Sequence, residues 1–212
     1  MKFLASLLLL LAIFSSPSYC EDNPWQLNQN KLGIPVYTRK IAGSPILEYK
    51  ASITINAPIE AALKLFEDEA QIPRWYFQCV HSQLLKNEDP DHKVIYLVLH
   101  FPWPVAARDF IFRRSRSDDP KTGIVSYSLT ALPDKLPQVK GIIRVQSIKS
   151  IWIFTPLPHN QTEVFFQQHT DPGGSIPPAI INKICIETPY YSLMNFRRLL
   201  TGSNSENSSA KN

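Results

Sequence analysis

Hydrophobic and polar residues alternate over much of this chain, and the alternation breaks at prolines and glycines. Residues 94–100 are β-branched and aromatic, as strands prefer. In residues 108–113, period two puts Arg108, Phe110 and Phe112 on one face. Pro102 and Pro104 lie between these runs, lack a backbone donor, and mark a corner at a strand end. Residues 123–131 set Val125, Tyr127 and Leu129 against Ser126, Ser128 and Thr130. Residues 141–155 read as one long strand, with Ile148, Ser150, Trp152 and Phe154 on one face and Ile143, Val145, Ile151 and Ile153 on the other. A turn over 156–160 leads to a last strand at 162–170, where Val164, Phe166, Gln168 and Thr170 share a face. Two earlier strands are predicted at 33–39 and 46–56. Apolar residues on both faces require cover on both sides, or a cavity on one.

Helical spacing is confined to a few places. Residues 25–31 predict a short helical turn. Pro58 opens a helix at its first turn, with Ile59, Ala61, Ala62, Leu65 and Phe66 as its stripe, and Pro73 interrupts it. Asp171-Pro-Gly-Gly174 ends the strand region. Residues 176–200 then predict a long helix with Ile180, Ile181 and Ile184 on its apolar side and a kink at Pro189. Residues 202–212 are polar, rich in Ser and Asn, and predict a disordered tail.

Length and composition narrow the class. The chain has 212 residues, 44% of them hydrophobic, which suffices for one domain with a sizeable core. Its 18 prolines against seven glycines favour corners over hinges. The net charge of +4 permits attraction to anionic lipid but is too weak to imply nucleic acid. Residues 1–20 have the form of a secretory signal: charged Lys2, an apolar run over 3–14 too short for a membrane span, and small Ser18 and Cys20 before Glu21. The expected mature domain is 21–201, exported to a periplasm or secreted. Acylation at Cys20 and an uncleaved anchor are the alternatives. Cys79 and Cys185 then read as buried free thiols, with a disulfide the other possibility in an oxidising compartment.

Candidate catalytic chemistry is sparse. None of the five histidines stands in a metal-ligand spacing, and there is neither a Gly-x-Ser-x-Gly elbow nor a glycine-rich phosphate loop. Asp89, Asp91 and His92 read as a solvated turn, and Asn160-Gln-Thr162 matches a glycosylation sequon. Neither metal nor cofactor is expected. Arg108 shares a face with two phenylalanines. Either its guanidinium snorkels to solvent, or it is held at the rim of an apolar cavity, where it would pair with an anionic group.

Five stretches, in order, carry a resemblance: residues 33–39, Trp75 after the helix, Phe101-Pro-Trp-Pro-Val-Ala-Ala-Arg-Asp-Phe110, Gly141-Ile-Ile-Arg-Val145, and Asp171-Pro-Gly-Gly-Ser-Ile-Pro177 followed by Asn182. Over residues 25–200 the chain resembles a START domain, the steroidogenic-acute-regulatory-related lipid-transfer module. The resemblance implies an α+β helix-grip fold, a curved antiparallel sheet wrapped around a long C-terminal helix, with a tunnel for one lipid or sterol. It implies that Ile148, Ser150, Trp152, Phe166 and Gln168 face the tunnel together with Phe110, Ile180 and Ile184, and that Arg108 contacts a lipid head group. Phosphatidylcholine-binding relatives ring a quaternary ammonium with aromatic side chains. Ile148 and Ser150 depart from that pattern.

Three functions stay open: a non-enzymatic lipid or sterol carrier that touches membranes transiently, an enzyme acting on a small hydrophobic or aromatic substrate, and a ligand-sensing interaction domain. A monomer is expected. For the carrier, burying an acyl chain supplies about 0.8 kcal/mol per methylene without any chemistry. Release requires a gap between helix and sheet. Gly173 and Gly174 are the expected hinge of a helix that ends in Arg197 and Arg198, two cations suited to anionic head groups. A rigid turn is the alternative.

Overall fold

The computed structural model describes residues 23–174 and 176–202; the expected leader at 1–20 and all but the first residue of the expected tail at 202–212 lie outside them. Strand pairing begins with β1 (Gln26–Lys31) and β2 (Ile34–Arg39), joined by Leu32 and Gly33 at φ of 53° and 73°. This two-residue turn suits the right-handed strand twist. Residues 25–31 are therefore a strand, not the expected helical turn. The hairpin signal was hidden because Leu rather than Asn or Gly occupies its first left-handed position.

The remaining strands are β3 (Glu48–Ile55), β4 (Cys79–Asn87), β5 (His92–Leu99), β6 (Arg108–Asp118), β7 (Val125–Ala131), β8 (Ile143–Arg144), β9 (Ser147–Leu157) and β10 (Gln161–Asp171). They form one sheet in the order β1-β2-β3-β10-β9-β7-β6-β5-β4, antiparallel throughout, with β8 off this path and parallel to β6. The helices are α1 (Ile59–Glu67), the short α2 (Ile72–Trp75) and α3 (Pro178–Thr201). α3 packs along β2 and β3, so the curved sheet grips it as the resemblance implies.

Several expected boundaries move. The long strand expected over 141–155 is two strands, because β8 leaves the sheet path to pair with β6. β9 also runs on to Leu157, and the turn narrows to residues bearing His159 and Asn160 at positive φ. β4 has no counterpart in the sequence reading. It is an edge strand with irregular register at Cys79/His81 and Leu84/Lys86, which erases its alternation. Pro58 caps α1 instead of lying in its first turn. α1 ends at Asp68, whose carboxylate accepts from the Ala70 amide. Pro73 thus opens α2 rather than interrupting α1. Pro189 lies on the buried side of an unbroken α3.

Two packing centres hold the grip. Phe66 of α1 brings the rings of Trp75, Tyr127, Trp152 and Phe154 to within 4.7–5.8 Å of its own. On the other face of β6, Asp109 accepts two hydrogen bonds from Arg144, at 2.7 and 2.8 Å, with both side chains 1% exposed. The same guanidinium donates to the carbonyls of Pro133, Leu136 and Pro137, so it fastens the loop before β8. Asp109→Ala leaves this cation buried without its counter-ion, which is expected to cost about 3–5 kcal/mol. Urea unfolding with an unchanged m value checks it. A loss under about 1 kcal/mol would show that the pair is dispensable.

Candidate functional site

Between the concave sheet and α3 lie two chambers and a mouth, arranged in line. The inner chamber is bounded by Phe66, Ile72, Trp75, Leu97, Phe112, Leu129, Ile148 and Trp152. The outer chamber runs under α3, between Tyr49, Leu99, Phe101 and Arg108 on one side and Ile181, Ile184, Cys185 and Thr188 on the other. Tyr76, Phe110 and Gln168 belong to both walls, so these three side chains form the partition between the two chambers. Ile46, Pro172, Ile176 and Ile181 are likewise shared by the outer chamber and a wider mouth beside Gly43, Asp171, Gly173 and Gly174.

The chambers are narrow. The space open to the centre of a water-sized sphere is about 30 Å³ in the inner and about 50 Å³ in the outer chamber, against about 370 Å³ at the mouth. One water needs about 10–15 Å³ by this measure, so the chambers as they stand admit a thread a few atoms wide. Loading a lipid requires side chains or α3 to give way.

Arg108, Phe110, Phe112 and Arg114 project to the same side of β6, continuing the alternation expected from the sequence. The two arginines have different surroundings. Arg114 sits at the closed end of the inner chamber. It donates to the Phe66 carbonyl at 3.0 Å and to the Glu69 carboxylate at 2.7 Å, and its guanidinium lies over the Phe66 ring at 5.4 Å. Nearby, Glu67 accepts from Tyr127 and Arg116 at 2.5 and 2.6 Å. Arg108 is 2% exposed and, among the described residues, donates only to carbonyls, those of Ala106 and, at 3.4 Å, Gly173. Its Nε is buried with no hydrogen-bond partner among the described residues. Burial pulls its pKa down, yet a guanidinium remains charged at any neutral pH.

The wall between the chambers is the other polar zone. Gln168 is 4% exposed and stands beside Tyr49 and Tyr76. Burial pushes both phenols up, Tyr76 to about 12, so both are neutral hydroxyls. The Tyr49 hydroxyl and the Thr170 hydroxyl are buried and make no hydrogen bond of ordinary geometry among the described residues.

The residues expected to face a ligand divide accordingly. Arg108, Phe110, Ile148, Trp152, Gln168 and Ile184 line the chambers. Phe166 lies behind them: its ring stacks on Trp152 at 3.8 Å and meets Tyr49 edge-on at 5.4 Å. Ser150 is buried on the same face of β9 as Ile148 and Trp152, but it is absent from the lining of both chambers, and its hydroxyl has no hydrogen-bond partner among the described residues. Of the three isoleucines expected on the apolar side of α3, Ile181 and Ile184 line the outer chamber with Cys185 and Thr188, and Ile180, at the edge of that stripe, is half-buried outside the lining. Gly173 and Gly174 stand at the mouth with φ of 64° and 67°. A Cβ on Gly174 would come within 2.7 Å of Ile143 and 3.6 Å of the Arg108 guanidinium, so glycine is needed for close approach as well as for backbone angle. Tyr49, Tyr76 and Arg114 escaped the sequence reading. Only Arg114 had a visible signal, as the next step in the alternation from Arg108.

The loops flanking β6 and β8 expose large apolar side chains. Trp103, in the proline corner before β6, is 93% exposed, and its bond to Pro104 is cis. Leu136 and Val139 are exposed in the loop that Arg144 fastens, which also carries Lys135 and Lys140.

A family model for the START domain matches residues 10–188. An uncharacterized protein of Pseudomonas aeruginosa is 31% identical over 189 residues, covering 89% of this chain and 93% of its own length. The phosphatidylcholine transfer protein of Mus musculus is 26% identical, over 74% of this chain and 75% of its own. Among solved structures, a STAR-related lipid transfer protein fragment from Xanthomonas axonopodis superposes with a TM-score of 0.77 at 31% identity, covering 84% of this chain and 98% of that one.

Cys79 and Cys185 are free buried thiols in place of the alternative disulfide. Burial pushes both up to about 12. At pH 8 the thiolate fraction is then about one in ten thousand. A water-soluble disulfide reagent is expected to label the native chain at least about a hundredfold more slowly than the unfolded chain. Labelling of Cys185 at the unfolded rate would mean that the outer chamber stands open in solution.

Proposed function

The chain belongs to the START-domain family, and from that premise we propose that it holds one lipid or sterol in the two chambers and carries it between membranes. The observation that carries the reading is adjacency: two largely apolar chambers and a mouth follow one another from the Phe66–Trp152 end to Gly173 and Gly174, each separated from the next only by side chains that line both. Each methylene moved from water into it contributes about 0.8 kcal/mol, so affinity needs no bond chemistry. We read the chain as a carrier and not an enzyme. No histidine or carboxylate lines either chamber, and the phenols there titrate far above neutrality, which leaves no poised acid–base pair.

Exchange is assigned to the mouth. α3 is latched to the segment before β3 by two long contacts: the Leu47 amide donates to Asn182 at 3.4 Å, and the Cys185 thiol donates to the Leu47 carbonyl at 3.6 Å. Breaking them lets the first turns of α3 swing on Gly173 and Gly174. Trp103, Leu136 and Val139 would enter the bilayer interface while Lys135 and Lys140 meet anionic head groups. The signal-like residues 1–20 support action outside the cytoplasm, in a periplasm or after secretion.

Native mass spectrometry of protein purified from its host is expected to show one added lipid mass per monomer. A bare chain that turns over a small aromatic compound would overturn the carrier reading. For the gate, Leu47→Cys is placed against native Cys185. Oxidation is expected to slow lipid transfer between vesicles at least about tenfold, and reduction to restore it. A disulfide that forms, shown by loss of both thiols, without slowing transfer would move the gate to the loops around Trp103 and Pro133.

A further inference from the structure

We infer that the ligand is an anionic amphiphile whose carboxylate or phosphate pairs with Arg108, and that the site discriminates against a quaternary-ammonium head group. This rests on the carrier reading and adds the head-group chemistry. The first ground is charge. The lining of the two chambers contains two guanidiniums, Arg108 and Arg114, and no carboxylate. Arg114 is neutralised from behind by Glu69. Arg108 has no anionic partner among the described residues, although it is 2% exposed and its Nε lacks even a carbonyl. A buried charge left in this state costs free energy that a ligand anion recovers, and a planar guanidinium suits the paired oxygens of a carboxylate or phosphate.

The second ground is the state of the aromatic faces. A quaternary ammonium needs open ring faces or a counter-ion. Arg114 already lies over both Phe66 and Tyr127, at 5.4 and 5.8 Å, Phe166 covers one face of Trp152 at 3.8 Å, and the rings that remain in the lining, Trp75, Tyr76 and Phe110 among them, have no carboxylate beside them in that lining to serve as counter-ion. In the outer chamber any ammonium would share a dry space with the Arg108 cation. The neighbouring Thr170 hydroxyl, buried without a hydrogen-bond partner among the described residues, is left to donate to ester or acid oxygens. The position also fits an amphiphile. Arg108 stands where the outer chamber approaches the mouth, beside Gly173 and Gly174, with the apolar chambers extending inward.

The test measures equilibrium loading. The full chain, stripped of lipid, is incubated with vesicles of one fixed composition that carry a trace of labelled oleate, phosphatidylglycerol or phosphatidylcholine, then re-isolated and its bound label counted. Identical vesicles hold surface charge constant across the arms. Oleate or phosphatidylglycerol is expected to load at least about tenfold over phosphatidylcholine, a factor corresponding to about 1.4 kcal/mol. The better of the two identifies carboxylate or phosphate as the natural group. Arg108→Gln is expected to bring the ratio to about one, and Arg108→Lys to keep part of it. Native circular dichroism checks both folds, and Arg108→Gln is expected to melt no lower than the parent, since it removes an unpaired buried charge. Phosphatidylcholine loading as well as the anions, or a preference that survives in folded Arg108→Gln, overturns the inference and leaves the carrier reading standing. Loading of none of the three overturns the inference, and a fourth arm with labelled cholesterol then decides whether the carrier reading stands. A melting temperature raised by inorganic phosphate, without lipid loading, assigns Arg108 to a free anion and overturns the amphiphile.

Discussion

One helix cannot fill the concave face of a ten-stranded sheet. α3 is 24 residues long and packs chiefly along β2 and β3, touching β9 through Phe196 against Phe154, while the sheet continues through β7, β6 and β5. The gap is closed at one end by side chains from short elements. Phe66 of α1 and Trp75 of α2 drop into the concavity and meet Tyr127, Trp152 and Phe196. The space left between this aromatic plug and the first turns of α3 is the tunnel. Its existence follows from the mismatch between a wide curved sheet and a single helix, and its depth from where the plug stops.

The same geometry sorts the arginines of β6 and β8. Alternation along β6 sends Arg108 and Arg114 inward and Asp109 outward, where β8 brings Arg144 to it. Arg114 ends beneath α1 and finds carbonyls and Glu69; Arg144 finds Asp109 and a loop to fasten. Arg108 points to the side where the sheet meets the start of α3, and the backbone there has only carbonyls to offer. Two of the three buried cations thus hold the fold, and the third is left facing the tunnel. Rigidity and access are separated along the strand. The closed end is dense with rings and ion pairs, whereas the mouth is bounded by a pair of left-handed glycines and two hydrogen bonds longer than 3.3 Å.

Much of this architecture was legible from period-two patterning. The two faces of β6, β7, β9 and β10, and the long closing helix, follow from local rules because side chains alternate across a strand whatever the rest of the chain does. Alternation grouped Arg108 with Phe110, Ile148 with Trp152, and Phe166 with Gln168 on shared faces, and the resemblance indicated that those faces turn inward. The motif resemblance then supplied the helix-grip arrangement as a whole, which no local rule contains.

Which inward residues touch the tunnel was decided by packing. Phe166 and Trp152 are register partners with the same periodicity, yet their stacking puts Trp152 at the wall and Phe166 behind it. Ile180 and Ile181 are equally apolar, and only the docking angle of α3 selects Ile181. β4 was invisible because irregular pairing at a sheet edge removes the alternation that marks a strand. The residues carried the faces, through a periodicity that is local. The tertiary structure chose the lining, the partners of each buried arginine and the place of the mouth, because those depend on distances between elements far apart in the chain.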